Sequence, residues 1–93
     1  MPVTADVAFD ISAPCQLSEA VSLRDEAFGA LAYHHVTRRL VFLKSRELVA
    51  LVRALGDYDS ADEALGAMID SSERAKYTKA LAGLFTSEVI SGR

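Results

Sequence analysis

The stretch Phe28-Gly29-Ala30-Leu31-Ala32-Tyr33-His34, followed closely by Arg38-Arg39-Leu40-Val41-Phe42-Leu43-Lys44-Ser45, decides the fold. Alternation puts Leu31 and Tyr33 on one face of a strand over Gly29–His34, with Ala30, Ala32 and His34 on the other. The same period of two sets Leu40 and Phe42 against Val41 and Leu43 in a strand over Arg38–Leu43. Between them, His35–Thr37 is short enough for an antiparallel connection. Towards the N-terminus, Leu17, Val21 and Leu23 mark a third strand over Gln16–Arg24, joined through Asp25–Phe28. The three runs read as a β-meander.

Beyond Ser45 the period changes. Leu48, Val49, Leu51, Val52 and Leu55 share one helical face. Ser45 suits the N-cap, and Gly56 suits a left-handed stop. A second helix starts at Ser60, where Ser60 and Glu63 have capping-box spacing, and ends near Asp70. Its apolar stripe is Ala61, Ala64, Leu65, Met68 and Ile69. A third helix starts near Ser72 or Glu73, with Asp70 and Glu73 as reciprocal caps. Tyr77, Leu81, Leu84, Phe85 and Glu88 lie on one face of it. The fold class is therefore α+β, a three-stranded antiparallel meander followed by three helices around one core. Residues 1–15 read as an N-terminal arm holding Pro2 and Pro14, with a short extended segment at Val7–Ile11. Residues 16–93 read as the domain.

With 93 residues the chain is one domain. The 51% hydrophobic content supports a core, and the 25% charged content suits an ordinary soluble surface. A net charge of -3 opposes a nucleic-acid role, which usually leaves a clustered basic footprint. Cys15 is the single cysteine, so no internal disulfide framework exists. The longest apolar runs fall far short of the roughly 20 residues of a membrane span. No signal peptide is evident, and the expected compartment is the cytoplasm.

Catalytic patterns are missing. The five glycines are scattered, and no Gly-rich phosphate loop, G-x-S-x-G or Cys/His/Asp pairing occurs. His34 and His35 are adjacent in a strand and point to opposite faces, so they do not chelate one metal simply. Asp57, Asp59, Asp62 and Glu63 lack calcium-loop spacing and read as helix-start charge. Tyr33, Tyr58 and Tyr77 read as amphipathic core-edge residues. Neither an enzyme, a metal nor a cofactor is expected.

The architecture offers a binding edge instead. Leu40–Leu43 contains no proline and no charge, the devices that usually blunt an edge strand. Such an edge suits β-augmentation by a peptide. About five backbone hydrogen bonds would contribute on the order of 5 kcal/mol net, against an association cost of roughly 4–15 kcal/mol. Burying about 400 Å² of apolar surface adds roughly 10 kcal/mol. An apolar groove beside the edge is therefore required, and Tyr77, Ala80, Leu81 and Leu84 of the third helix are the candidates to line it. For Leu81 and Leu84, plain core filling is the alternative.

Phe28–His34, Arg38–Ser45 and Leu48-Val49-Ala50-Leu51-Val52 together resemble the MftB family of mycofactocin biosynthesis chaperones, within the PqqD-like peptide-recognition elements. The resemblance runs from Phe9 to Ile90 and is densest across residues 28–55. It implies a winged helix-turn-helix-like fold without catalytic activity. It further implies that a ribosomal precursor peptide adds as a strand beside the third strand and third helix. The peptide would then be presented to a radical S-adenosylmethionine maturase. On this chain the resemblance maps the peptide edge onto Arg38, Arg39, Leu40, Val41, Phe42 and Leu43. It maps the groove wall onto the helix holding Tyr77, Leu81 and Leu84. Arg38 and Arg39 would pair with acidic peptide residues.

Two other readings stand beside this one. A winged-helix DNA-binding protein would share the fold, but Arg74, Lys76 and Lys79 of the third helix are offset by Glu73 and Glu88. A self-pairing module, a homodimer through the sheet edge, would satisfy the same bare strand.

Overall fold

The computed structural model describes residues 9–93. Three strands form the meander: β2 (Val21–Glu26), β3 (Gly29–His34) and β4 (Leu40–Leu43), antiparallel in the order β2-β3-β4. Three helices follow: α1 (Arg46–Ala54), α2 (Ala61–Met68) and α3 (Arg74–Thr86). This is the expected α+β architecture. Two short strands add to it, β1 (Cys15–Leu17) and β5 (Ile90–Gly92), paired antiparallel in a second sheet.

The expected strand over Gln16–Arg24 is thus split. Ser18 breaks it: its hydroxyl takes the Ala20 amide at 3.1 Å and its carbonyl takes the Val21 amide at 3.1 Å, so the chain turns. The half before the turn pairs with β5, and the half after it runs on through Glu26. At the other hairpin, β4 starts at Leu40 and not at Arg38. Arg38 has φ 65 and donates its amide to the His34 carbonyl at 2.8 Å, which closes the turn. Val7 and Ala8 of the expected extended segment lie outside the described residues. Phe9–Ile11 is not a strand, but Phe9 stacks on Phe85 at 5.5 Å and the Ile11 carbonyl takes the Asp62 amide at 2.8 Å.

Ser45 caps α1 by accepting the Leu48 amide at 3.0 Å, and Ser60 caps α2 by accepting that of Glu63 at 3.0 Å. Asp70 caps the short turn before α3 through Ser72 rather than Glu73, and these hydrogen bonds hold the Asp70 carboxyl below its usual range. Gly56 does not stop α1 in a left-handed conformation. The helix instead tightens into a 3-10 turn over Leu55–Asp57, and the Arg93 guanidinium donates to the carbonyls of Gly56 and Tyr58, both at 2.7 Å. The core gathers Leu43 from the sheet with Leu51, Val52 and Leu55, Leu65, Leu81, and Val89 and Ile90. Cys15 is buried in it too. Met68, placed on the α2 apolar stripe by its spacing, is exposed instead.

Candidate functional site

The register of β4 determines what its edge presents. Tyr33 faces Leu40, Leu31 faces Phe42, Ala32 faces Val41 and Ala30 faces Leu43. One step earlier, the His34 amide donates to the Arg39 carbonyl at 2.9 Å. Antiparallel pairs alternate between bonded and unbonded, so Val41 and Leu43 turn their backbone groups to β3, and Leu40 and Phe42 turn theirs outward. Two residues with two groups each give four free backbone partners along the edge. The opposite edge of the sheet is blunted by the consecutive charges Arg24, Asp25 and Glu26.

Side chains follow the same alternation. Leu43 is fully buried and Val41 half-buried against the core, whereas Leu40 and Phe42 stand 60% and 57% exposed on the outer face. Past Leu43 the edge opens into a groove of about 260 Å³ between α1 and α3, lined by Lys44, Ser45, Leu48, Lys76, Tyr77 and Ala80. Its floor is pinned by the Ser45 and Tyr77 hydroxyls, 3.4 Å apart. The Lys76 ammonium lies over the Tyr77 ring, 5.6 Å from its centre.

The sequence-derived residues fall into three groups. Leu40, Val41, Phe42 and Leu43 form the edge strand. Tyr77 and Ala80 reach the groove wall. Leu81, at 0% exposure, and the buried Leu84 lie beneath it in the core. Arg38 and Arg39 are exposed in the turn that feeds the strand. Reasoning from sequence missed Lys44, Leu48 and Lys76. Spacing alone places Leu48 on the core stripe of α1; the fold packs it against the core and, from the first turn beside the open strand end, also turns it to the groove.

His34 and His35 do separate. His34 is buried, and its Nδ1 accepts the amides of Val36 at 3.2 Å and Thr37 at 3.1 Å, so the ring carries its proton on Nε2. His35 stands edge-on to Tyr33 at 4.9 Å, with Nε2 2.6 Å from the Ser22 hydroxyl. No group of three or more metal-ligating side chains gathers among the described residues. No helix among them is long and apolar enough to cross a membrane.

Residues 14–91 match the family model of the peptide chaperone MftB family, a span that starts one residue before β1 and ends inside β5. The chain is 43% identical over 84 residues to a peptide chaperone MftB of Mycobacterium ulcerans, covering 89% of this chain and 77% of that one. It is 38% identical over 89 residues to a peptide chaperone MftB of Mycolicibacterium smegmatis, covering 95% and 87%. With a peptide chaperone MftB of Mycobacterium tuberculosis the identity is 40% over 83 residues, covering 88% and 76%. No solved structure matches. The chain belongs to the peptide chaperone MftB family.

Proposed function

We propose that this protein is a peptide chaperone of mycofactocin biosynthesis, acting in the cytoplasm. It binds the ribosomal precursor peptide as a fourth strand against β4 and hands it to a radical S-adenosylmethionine maturase. The observation that supports strand addition is the pair of outward-facing residues Leu40 and Phe42 beside the α1–α3 groove. Four hydrogen bonds there contribute on the order of 4 kcal/mol net, which at best matches the low end of an association cost of roughly 4–15 kcal/mol and leaves no surplus for affinity. The groove supplies the remainder by burying apolar peptide side chains.

The geometry gives the peptide a pattern. Residues bonded to Leu40 and Phe42 lay their side chains on the outer face beside them. The residues between point to the inner face, where Leu48, Tyr77 and Ala80 receive an apolar group. Arg38 and Arg39 at one end, with Lys44 and Lys76 at the other, favour acidic residues flanking the bound segment. Each exposed charge pair is worth only about 0–1 kcal/mol, so the apolar contacts set affinity.

Isothermal titration with a synthetic mycofactocin precursor peptide tests the proposal. Saturable one-to-one binding with a Kd near or below micromolar, about -8 kcal/mol or better, is the expected result. No heat at high peptide concentration, together with a concentration-dependent dimer, would turn the reading to self-pairing through the same edge.

A further inference from the structure

The side chains of β4 do not specify its register. Leu40, Val41, Phe42 and Leu43 are all apolar, so a slip of one residue would exchange one apolar pair for another on each face. The far end of the strand leads through Lys44 into the α1 cap at Ser45. That leaves the β3–β4 turn as the segment that fixes the register or takes up a slip, because hairpin register follows turn geometry.

The turn is made of residues poorly suited to it. His35-Val36-Thr37-Arg38-Arg39 contains no glycine, proline, asparagine or aspartate. Arg38 holds φ 65, which residues other than glycine seldom adopt. Core packing does not hold the segment either, since residues 35–39 are all exposed. His35 ties its start to β2, with its amide on the Ala20 carbonyl at 2.7 Å and its Nε2 beside the Ser22 hydroxyl. Everything after that closes on His34. The His34 Nδ1 accepts the amides of Val36 and Thr37, which have no other partner among the described residues. Its carbonyl accepts the Arg38 amide, and its own amide donates to the Arg39 carbonyl. His34 is only 5% exposed, so water competes little for these bonds.

We infer that His34 is the positioning residue of the peptide-binding edge. Its unprotonated Nδ1 locks the turn that starts β4 at Leu40, and so selects Leu40 and Phe42, not Val41 and Leu43, as the outward pair. The consequence for binding rests on the chaperone reading, since a fixed outward pair gives an incoming strand its hydrogen-bond partners. The register itself is read without any peptide.

The test uses the full chain, the synthetic precursor peptide, and the variants His34→Leu and His34→Asn. Leucine fills the space without an acceptor, whereas the asparagine Oδ1 stands where Nδ1 does and accepts both amides. In the unmodified chain, imidazole nitrogen NMR is expected to find the His34 proton on Nε2. A proton on Nδ1 overturns the inference without any variant. Amide exchange in the free chains then reads the register. The expected result is fast exchange at Leu40 and Phe42 and slow exchange at Val41 and Leu43 in the unmodified chain and in His34→Asn. His34→Leu is expected to lose that contrast and to bind peptide about tenfold more weakly, with affinity restored to within about threefold in His34→Asn. Circular dichroism checks that each variant is folded. A folded His34→Leu with the contrast and affinity of the unmodified chain overturns the inference. Where His34→Leu does not fold, His34→Asn decides: a folded chain with the contrast supports the inference, and loss of the contrast or of the fold assigns the ring to plain core packing. An unmodified chain that shows the contrast but binds no peptide overturns the chaperone reading and leaves the register assignment standing.

Discussion

The His34 amide and the Arg39 carbonyl meet at 2.9 Å, and this one bond sets the direction of every backbone group along β4. Because the ladder alternates, it leaves the Leu40 and Phe42 amides facing solvent and holds those of Val41 and Leu43 to β3. Hydrogen exchange followed by NMR reads this pattern directly. In the free protein the Leu40 and Phe42 amides are expected to exchange fast, and those of Val41 and Leu43 slowly. Saturating peptide is expected to protect Leu40 and Phe42 and to change the other two little. Peptide binding without protection of Leu40 and Phe42 would place the peptide elsewhere.

Proline substitution separates the two sets of amides by a second route. Phe42→Pro removes an outward N–H and no ladder bond, and an edge strand tolerates it. Val41→Pro removes the bond to Ala32 inside the sheet. Phe42→Pro is expected to stay folded and to bind peptide about tenfold more weakly than Phe42→Ala, which corrects for the lost ring (about 1.4 kcal/mol). Val41→Pro is expected to lose roughly 3 kcal/mol of stability. Thermal melts and peptide titrations on the three variants check both statements.

Gly29 anchors the site from below. It has φ +150, and a methyl group there would sit 2.1 Å from the carbonyl oxygen of Leu43 and 3.0 Å from the Ser45 amide nitrogen. Both atoms are backbone, at the point where β4 gives way to the cap of α1. Gly29→Ala therefore shifts the strand end that opens the groove, or fails to fold stably. A loss of about 2–4 kcal/mol is expected in urea denaturation, well above a typical surface substitution. A variant with wild-type stability would mean that the β3–β4 approach is looser than these distances state.

The end of α3 has the opposite problem. Glu88 takes φ 67, its amide reaches the Phe85 carbonyl at 3.1 Å, and the next amide, from Val89, reaches Leu84 at 2.9 Å. This is a Schellman cap with glutamate where glycine is usual. Gly83, inside the helix, has nothing within 4 Å of where a methyl group would stand. Glu88→Gly and Gly83→Ala should each stabilise by about 1 kcal/mol. Each should raise Tm by roughly 4–8 °C. A fall in Tm for Glu88→Gly would show that its side chain matters more than its backbone.

These cases mark what the sequence makes legible. The period of two over Gly29–His34 and Leu40–Leu43 is local, and so are the serine caps at Ser45 and Ser60, so the meander and the helix starts can be read residue by residue. The β1–β5 pair cannot, because Cys15 and Gly92 meet only after the helices fold, and three-residue strands carry no periodic signal. The stop of α3 is hidden because Glu88 occupies a position that glycine would have announced. For the site, the bare edge is visible as an uncharged run, but the groove depends on how α3 crosses β4. Leu81 and Ala80 are adjacent in sequence and equally plausible as lining, and only the helix rotation sends Leu81 into the core and Ala80 to the wall.

Cys15 gives a pH dependence with a definite sign. Burial pushes its thiol above the usual range, with the Arg93 cation pulling it partly back. Below about pH 8.5, the ordinary thiol value, folded and unfolded chains both hold the proton and the protein keeps its full stability. Above that value the unfolded chain ionises first, so it binds fewer protons than the folded one, and stability falls as pH rises. Urea midpoints between pH 7 and 9, below most tyrosine and lysine titration, should decline for the native chain and decline less for Cys15→Ala. The same burial should make iodoacetamide alkylate the folded protein far more slowly than the urea-unfolded chain at pH 8. Equal slopes for the two chains, with fast alkylation of the native one, would mean that β1 opens readily and that the thiol is not held in the core.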